Sequence, residues 1–333
     1  MTTTTQSQPP TPALFSREFF HTYRFQFSII TLLVVLYAVF IIKAPGTYLS
    51  YNIYRSFMIS IPFFGLMAMA ATFVVTLGEI DLSFPSTAGF SGWVFAQSYV
   101  SSNSFLLALF LCLATGAVIG LINGLLVTRV GIPSIVATIG TMFVWRGLVN
   151  VVTQGHGIPI SKINDNPLHP FFTGELFGVI PAQFIWFVVG SIVLGLIYKR
   201  HSFGSHVLFI GDNEASARMM GIRVDFVKTM CFVIVGVSAS LSVVFILNQL
   251  TFFWASTGDG YLLTTLAAVF IGGTSVFGGK GTMIGTFVGV LIIASLEPGI
   301  IAVGLTGFWT QFIYGLLITI SVTVYAMMLR RGN

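Results

Sequence analysis

Charge is what this chain lacks most. Only 8% of its 333 residues are Asp, Glu, Lys or Arg, while 55% are hydrophobic, and mean hydropathy is +0.94. A soluble domain carries about 25% charged residues, so this composition cannot cover a soluble surface of that size. Cysteine is nearly absent. Cys112 and Cys231 both lie in apolar runs, which reads as two small buried residues rather than a disulfide or thiolate metal pair. The five histidines show no ligand spacing, and His201 and His206 flank a polar turn as solvated groups. The net charge of +5 is spread over short loops without a basic tract interleaved with aromatics, which excludes a nucleic-acid surface.

Catalytic motifs are missing as well. A phosphate cradle needs Gly-x-x-x-x-Gly-Lys-Ser/Thr. Gly279-Lys280 comes nearest, but Gly281 follows where the hydroxyl belongs and Thr274 stands at the first glycine. There is no Gly-x-Ser-x-Gly elbow and no His-Glu-x-x-His pair, so neither nucleotide hydrolysis nor an intramembrane hydrolase is supported. The expected set of catalytic, cofactor and metal residues is therefore empty.

What is present is long apolar sequence. The runs are continuous rather than alternating, which argues against a porin-like barrel. They predict an all-α, polytopic membrane protein with about ten spans, at 27–43, 55–77, 85–100, 105–128, 135–153, 183–198, 229–248, 261–277, 282–297 and 308–329. The segments 85–100, 261–277 and 282–297 are short of the ~20 residues a straight span needs. Glycine or proline flanks them, and such broken segments are tolerated only inside protein or along a cavity. Residues 1–25, rich at first in Thr, Gln and Pro, are expected to form a disordered cytoplasmic N-terminus ahead of a transmembrane domain at 26–333. No cleavage pattern precedes the first apolar run, which is expected to remain as an anchor.

Lys and Arg set the orientation. With the N-terminus inside, Arg17, Arg24, Arg129, Lys199, Arg200, Arg218, Arg223, Lys228, Lys280, Arg330 and Arg331 are cytoplasmic. Lys43, Arg55 and Lys162 fall outside, and Arg146 lies within a span. Ten spans then place both termini inside. The largest external loop is about 154–182, stiffened by Pro159, Pro167, Pro170 and Pro181, and the largest cytoplasmic loop is about 199–228.

That cytoplasmic loop carries the most informative polar segment, 211–222. Asn213 is a good N-cap. Glu214 follows at the positive end of the helix dipole, and it can pair with Arg218 one turn on. Gly221 is placed to stop the helix. Two turns are too few to be stable alone in water, so a helix this short, with Ala217 at its middle, is expected to dock into a groove of a partner protein.

Glycines recur at every fourth position in Gly116, Gly120 and Gly124, and again in Gly281, Gly285 and Gly289. Small residues at this spacing let helices approach closely, either within one subunit or between two. A faint internal echo relates Gly78-Glu79-Ile80-Asp81-Leu82-Ser83 to Gly272-Gly273-Thr274-Ser275-Val276-Phe277, as in transporters built from repeats.

Taken in order, Gly78–Ser83, Gly120-Leu121-Ile122-Asn123-Gly124, Ile132-Pro133-Ser134, Thr138-Ile139-Gly140-Thr141-Met142, Arg146-Gly147, Gly211–Ile222, Ile271–Ser275 and Gly278-Gly279-Lys280-Gly281 resemble the permease subunits of ribose- and galactose-type carbohydrate ABC importers. The resemblance covers about residues 60–325. It implies a bacterial inner-membrane permease, pairing with a second copy or a related permease. It also implies two cytoplasmic ATPase partners that hold ATP and Mg, an external sugar-binding protein, and no cofactor on this chain. Residues 211–222 would be the segment docked into the ATPase. The chain departs from the family habit at Glu79, which replaces a glycine, at Phe84-Pro85, and at Glu297-Pro298.

Polar groups in the apolar spans are the remaining functional candidates. Glu79, Asp81, Ser83, Asn123, Arg146, Asn150 and Gln249 are candidates for a translocation path. Each has a structural alternative. Arg146 can pair with a carbonyl or carboxylate, Asp81 with Ser83 can cap the next helix, and Glu79 can pair with a cation. The expected function is the transmembrane permease of an ATP-driven monosaccharide importer. The rival is a carrier driven by an ion gradient, with Glu79 and Asp81 as its ion sites.

Overall fold

The structure, a computed structural model, describes residues 24–330. The expected disordered stretch 1–25 lies outside the described residues except for its last two, and Arg17 and Arg331 lie outside as well.

The chain is a bundle of apolar helices whose ends are set by local capping. Helix α1 (Arg24–Lys43) leads through a single turn, α2 (Pro45–Tyr48), into α3 (Tyr51–Thr76). The Ser50 hydroxyl starts α3 by accepting from the Asn52 N–H. Helix α4 (Phe84–Ser102) opens on Phe84-Pro85, where proline has no needed N–H to lose. Helix α5 (Phe105–Leu125), capped by Ser104, widens into a π turn at Leu126–Val130 and stops at Gly131. Helix α6 (Ser134–Thr153) follows.

The next connection contains β1 (Ile158–Pro159), a 3-10 turn (Ser161–Asp165), α7 (His169–Thr173), β2 (Glu175–Leu176) and β3 (Ile180–Pro181). Then come α8 (Ala182–Arg200), α9 (Ser202–Asp212), α10 (Glu214–Met219) and α11 (Val224–Leu250). After β4 (Phe252–Phe253), which pairs antiparallel with β1, the chain ends with α12 (Tyr261–Ile271), α13 (Met283–Ala302) and α14 (Trp309–Arg330).

Each of the ten expected spans contains a helix, so the all-α polytopic reading holds. Among the described residues, six helices are long and apolar enough to cross a membrane: α3, α5 with its π turn, α6, α8, α11 and α13. Several boundaries differ from expectation, and one helix was not expected. Helix α11 begins at Val224 rather than 229. The segment 261–277 stays helical only to Ile271, because Gly272 and Gly273 end it. Helix α13 runs through Pro298 to Ala302 instead of stopping at 297. The stretch before the capped helix is itself helical: α9 buries Gly204, Val207 and Ile210 against the bundle.

Helices α3 and α11 form the centre of the core. Residues 64–76 of α3 are buried without interruption, as are 242–248 of α11. The first glycine ladder is used here. A Cβ at Gly116 would strike the Gly236 carbonyl and the Ser240 hydroxyl, one at Gly120 the Phe232 carbonyl, and one at Gly124 the Cα of Thr229. Helix α5 therefore crosses α11 backbone to backbone within one chain. In the second ladder, Gly285 lies against the carbonyl of Gly272, which ends α12, and Gly289 against that of Ala268 within it. Gly281 lies against the hydroxyls of Thr76 and Tyr198.

The internal echo corresponds to two helix ends of one design. Gly78 and Gly273 adopt φ of 81° and 82°. Glu79 N–H bonds the Val74 carbonyl at 3.1 Å, and Thr274 N–H bonds that of Val269 at 3.3 Å. Both are Schellman endings. A non-helical segment follows each, and then a new helix.

Candidate functional site

The cationic residues Arg129, Lys199, Arg200, Arg218, Arg223, Lys228 and Lys280 lie at the same end of the bundle, where α5, α8 and the α9–α10 segment terminate and α11 begins. At this basic end the Asn213 side chain accepts from the Ser216 N–H at 2.9 Å and starts α10. Gly221, at φ 81°, ends it, with Ile222 N–H returning to the Ala217 carbonyl at 3.1 Å. Ala217 is fully buried, so the helix is pressed onto the bundle by its small face. Met219 and Met220, at 82% and 59% exposure, stand out from its tip.

A ladder of charges holds α10 in place. Arg218 pairs with Glu214 at 3.0 Å and with Asp225 at 2.6 Å. Glu214 turns its other oxygen to Lys228 at 2.8 Å, and Lys228 also reaches Glu79 at 2.6 Å. Hydrogen bonding from Lys228, followed by that from Arg218, holds the Glu214 carboxyl below the usual carboxylate range. Asp225 and Glu214 together raise the already high pKa of Arg218.

The end of α9 meets the bundle just as closely. A Cβ at Gly211 would collide with the Thr76 carbonyl, which also accepts from Gly279 N–H at 2.9 Å. Gly278 packs on Gly78. The α9–α10 segment thus rests on the end of α3 and on the loop after α12.

Beyond Glu79 the chain runs non-helically to α4, and hydroxyls of α6 satisfy its backbone. Ile80 N–H donates to Ser134 Oγ and Leu82 N–H to Thr138 Oγ1, each at 3.1 Å. Asp81 Oδ1 accepts from both the N–H and the hydroxyl of Ser83 at 2.7 Å. Asn123 Nδ2 donates to the Ser83 hydroxyl at 2.7 Å, leaving its buried Oδ1 without a partner.

The seven path candidates do not form one site. Asp81, Ser83 and Asn123 come together, while Glu79 is engaged by Lys228. Arg146 lies elsewhere and holds the 255–259 loop against the start of α4. It donates to the carbonyls of Ala255 at 2.7 Å, Thr257 at 3.1 Å and Pro85 at 3.4 Å, and it pairs with Asp259 at 2.7 Å. Asn150 is exposed on α6. Gln249 accepts from Gln183 at 3.2 Å in a polar cavity of about 140 Å³ that Arg55, His169 and Glu175 also line. Among the described residues no cluster of His, Cys, Asp and Glu could hold a metal ion.

Sequence reasoning missed Lys228, whose partners lie 14 and 149 residues away, beyond any local pattern. It also missed the exposed Met219-Met220 pair, for which two adjacent apolar residues in a polar loop were the available signal.

Such a bundle of apolar helices, with a short capped helix strapped across one end, defines a multi-pass membrane protein. The chain belongs to the family described as "branched-chain amino acid transport system / permease component", whose model matches residues 53–322. It is similar to the ribose import permease protein RbsC of Bacillus subtilis (strain 168), 34% identical over 78% of this chain and 80% of that protein. The L-arabinose ABC transporter permease protein AraH of Azospirillum brasilense is 30% identical over 88% and 85%. The autoinducer 2 import system permease protein LsrC of Yersinia enterocolitica is 32% identical over 76% and 69%. No solved structure matches the chain. It is a membrane permease, a transport subunit rather than an enzyme, and by its family one component of a larger system.

Proposed function

We propose that this chain is the transmembrane subunit of an ATP-driven importer of a small polyhydroxy solute of the monosaccharide class. The observation that carries this is α10. It is a two-turn helix outside the apolar bundle, held by two charged neighbours on α11, Asp225 and Lys228, and it presents Met219 and Met220 to the medium. An adaptable methionine tip on a fixed helix suits a groove in another protein. The clustering of Lys and Arg at that end supports a cytoplasmic location for it and for both termini.

ATP and Mg belong to a partner ATPase that receives Asn213–Gly221, and the loop 199–228 is the coupling loop. An external binding protein delivers the solute, and a second copy or a related permease completes the path. The names of the relatives favour sugars over amino acids as cargo. An ion-gradient carrier is less well supported, because Glu79 is neutralised by Lys228 and Asp81 is tied to Ser83.

The test is uptake in proteoliposomes holding the chain, its genomically adjacent ATPase and binding protein, with labelled ribose and arabinose. Uptake that needs ATP and the binding protein is expected. Uptake driven by a proton or sodium gradient without ATP would overturn the reading.

A further inference from the structure

We propose that Lys228 is the positioning residue that carries motion of α10 into the segment at the foot of α4, with Glu79 as its acceptor. The proposal rests on the reading of α10 as the docking helix. Lys228 lies in the first turns of α11 and is 9% exposed. A buried ammonium is costly unless paired and hydrogen-bonded, and here one Nζ serves two carboxylates on different elements. Glu214 Oε2, on α10, is at 2.8 Å; Glu79 Oε1, directly after the glycine that ends α3, is at 2.6 Å. Arg218 also binds Glu214, but its other partner, Asp225, belongs to α11 itself, so Arg218 makes no tie to Glu79.

Past Glu79 the segment is fastened in turn. Ile80 and Leu82 are held by α6, Asp81 is bonded to Ser83, and Ser83 is held by Asn123 of α5. A pull on Glu79 therefore reaches the first turn of α4 and its neighbours, not a slack loop. If α10 moves, two arrangements are open to the bridge: Lys228 on Glu79 or Lys228 on Glu214. Hydrogen bonds are lost by about 3.6 Å, so Lys228 holds both carboxylates only while α10 sits close to where it is found. A shift of α10 forces it to keep one and release the other. A bistable contact of this kind is what converts a small displacement into a change of state.

The experiment uses the complete importer in proteoliposomes, reading bound ATPase, ATP hydrolysis and solute moved per ATP. Lys228→Met and Glu79→Ala are each expected to keep the ATPase bound and hydrolysing while solute per ATP falls at least about fivefold. The double variant should be no worse than either single one, as a shared link requires. Lys228→Arg, which can still serve two carboxylates, should return to within about twofold of the unaltered protein. If Lys228→Met does not reach the membrane, Glu79→Ala carries the test alone, since the lysine keeps Glu214. Unchanged transport per ATP in Glu79→Ala, additive losses in the double variant, or a loss that vanishes on normalising to folded protein would each overturn the relay. An unaltered chain that binds no ATPase would instead overturn the docking reading, and the relay with it.

Discussion

Gly211 of α9 lies so close to the carbonyl of Thr76, at the end of α3, that no Cβ fits between them. The obstacle is backbone on both sides, with Gly279 N–H as the next neighbour, so neither side can rotate away. Gly211→Ala should therefore lift α9 off the bundle. Overpacking of this kind costs about 1–3 kcal/mol. The expected outcome is a lower unfolding temperature and weaker retention of the ATPase. Gly221→Ala is the companion. It has open space around it but φ of 81°, so its cost should be local and smaller. Equal stability of Gly211→Ala and the unaltered chain would show that α9 does not sit on Thr76.

The same reasoning separates the two faces of α5. Gly120 meets the Phe232 carbonyl and the Cα of Val233, whereas Val118 on the same helix is 53% exposed. Gly120→Leu should abolish the monodisperse peak in detergent gel filtration, and Val118→Leu should leave it intact. Gly285→Leu, facing the Gly272 carbonyl, should behave like Gly120→Leu. Normal yield of either glycine variant would exclude backbone contact at that crossing.

What could be read in the sequence was local. The cap at Asn213, the stop at Gly221 and the Glu214–Arg218 pair lie within one or two turns, so spacing alone placed them. The ten apolar runs placed the helices for the same reason. Lys228 and Glu79 meet across 149 residues, and nothing at either position signals the other. Arg146 was legible as a paired charge. Its partners were not, because three are backbone carbonyls, which any residue supplies. Helix α9 was missed because its apolar face is short and its surroundings are polar. The end of α12 was overrun because Val276 and Phe277 extend the apolar run past the glycines that break the helix.

The charge ladder predicts a dependence on acid. Glu214 is held below the usual carboxylate range by Lys228 and then Arg218. A group whose folded pKa is depressed stabilises fully above its unfolded pKa, and that contribution is lost as pH falls through the folded value. The unfolded value is the ordinary 4.5. The unfolding temperature of the purified chain should exceed that of Glu214→Gln at neutral pH, and the gap should narrow below about 4.5. A gap that widens in acid would mean that Glu214 is not paired as found.

Arg146 provides the sharpest contrast between a buried and an exposed partner. Its guanidinium donates to the carbonyls of Ala255, Thr257 and Pro85, which no other side chain serves among the described residues. Its carboxylate partner Asp259 is 59% exposed, and water can replace that contact. Orphaning a buried acceptor costs about 1–3 kcal/mol, whereas an exposed ion pair contributes about 0–1 kcal/mol. Arg146→Met should therefore destabilise the 255–259 loop strongly, and Asp259→Asn hardly at all. Arg146→Lys should resemble the methionine variant, because one ammonium cannot reach acceptors placed for a planar fork. Hydrogen exchange of residues 254–260 reads this directly, with faster exchange in Arg146→Met and Arg146→Lys. If Asp259→Asn loosens the loop as much as Arg146→Met does, the ion pair rather than the carbonyls is what Arg146 contributes.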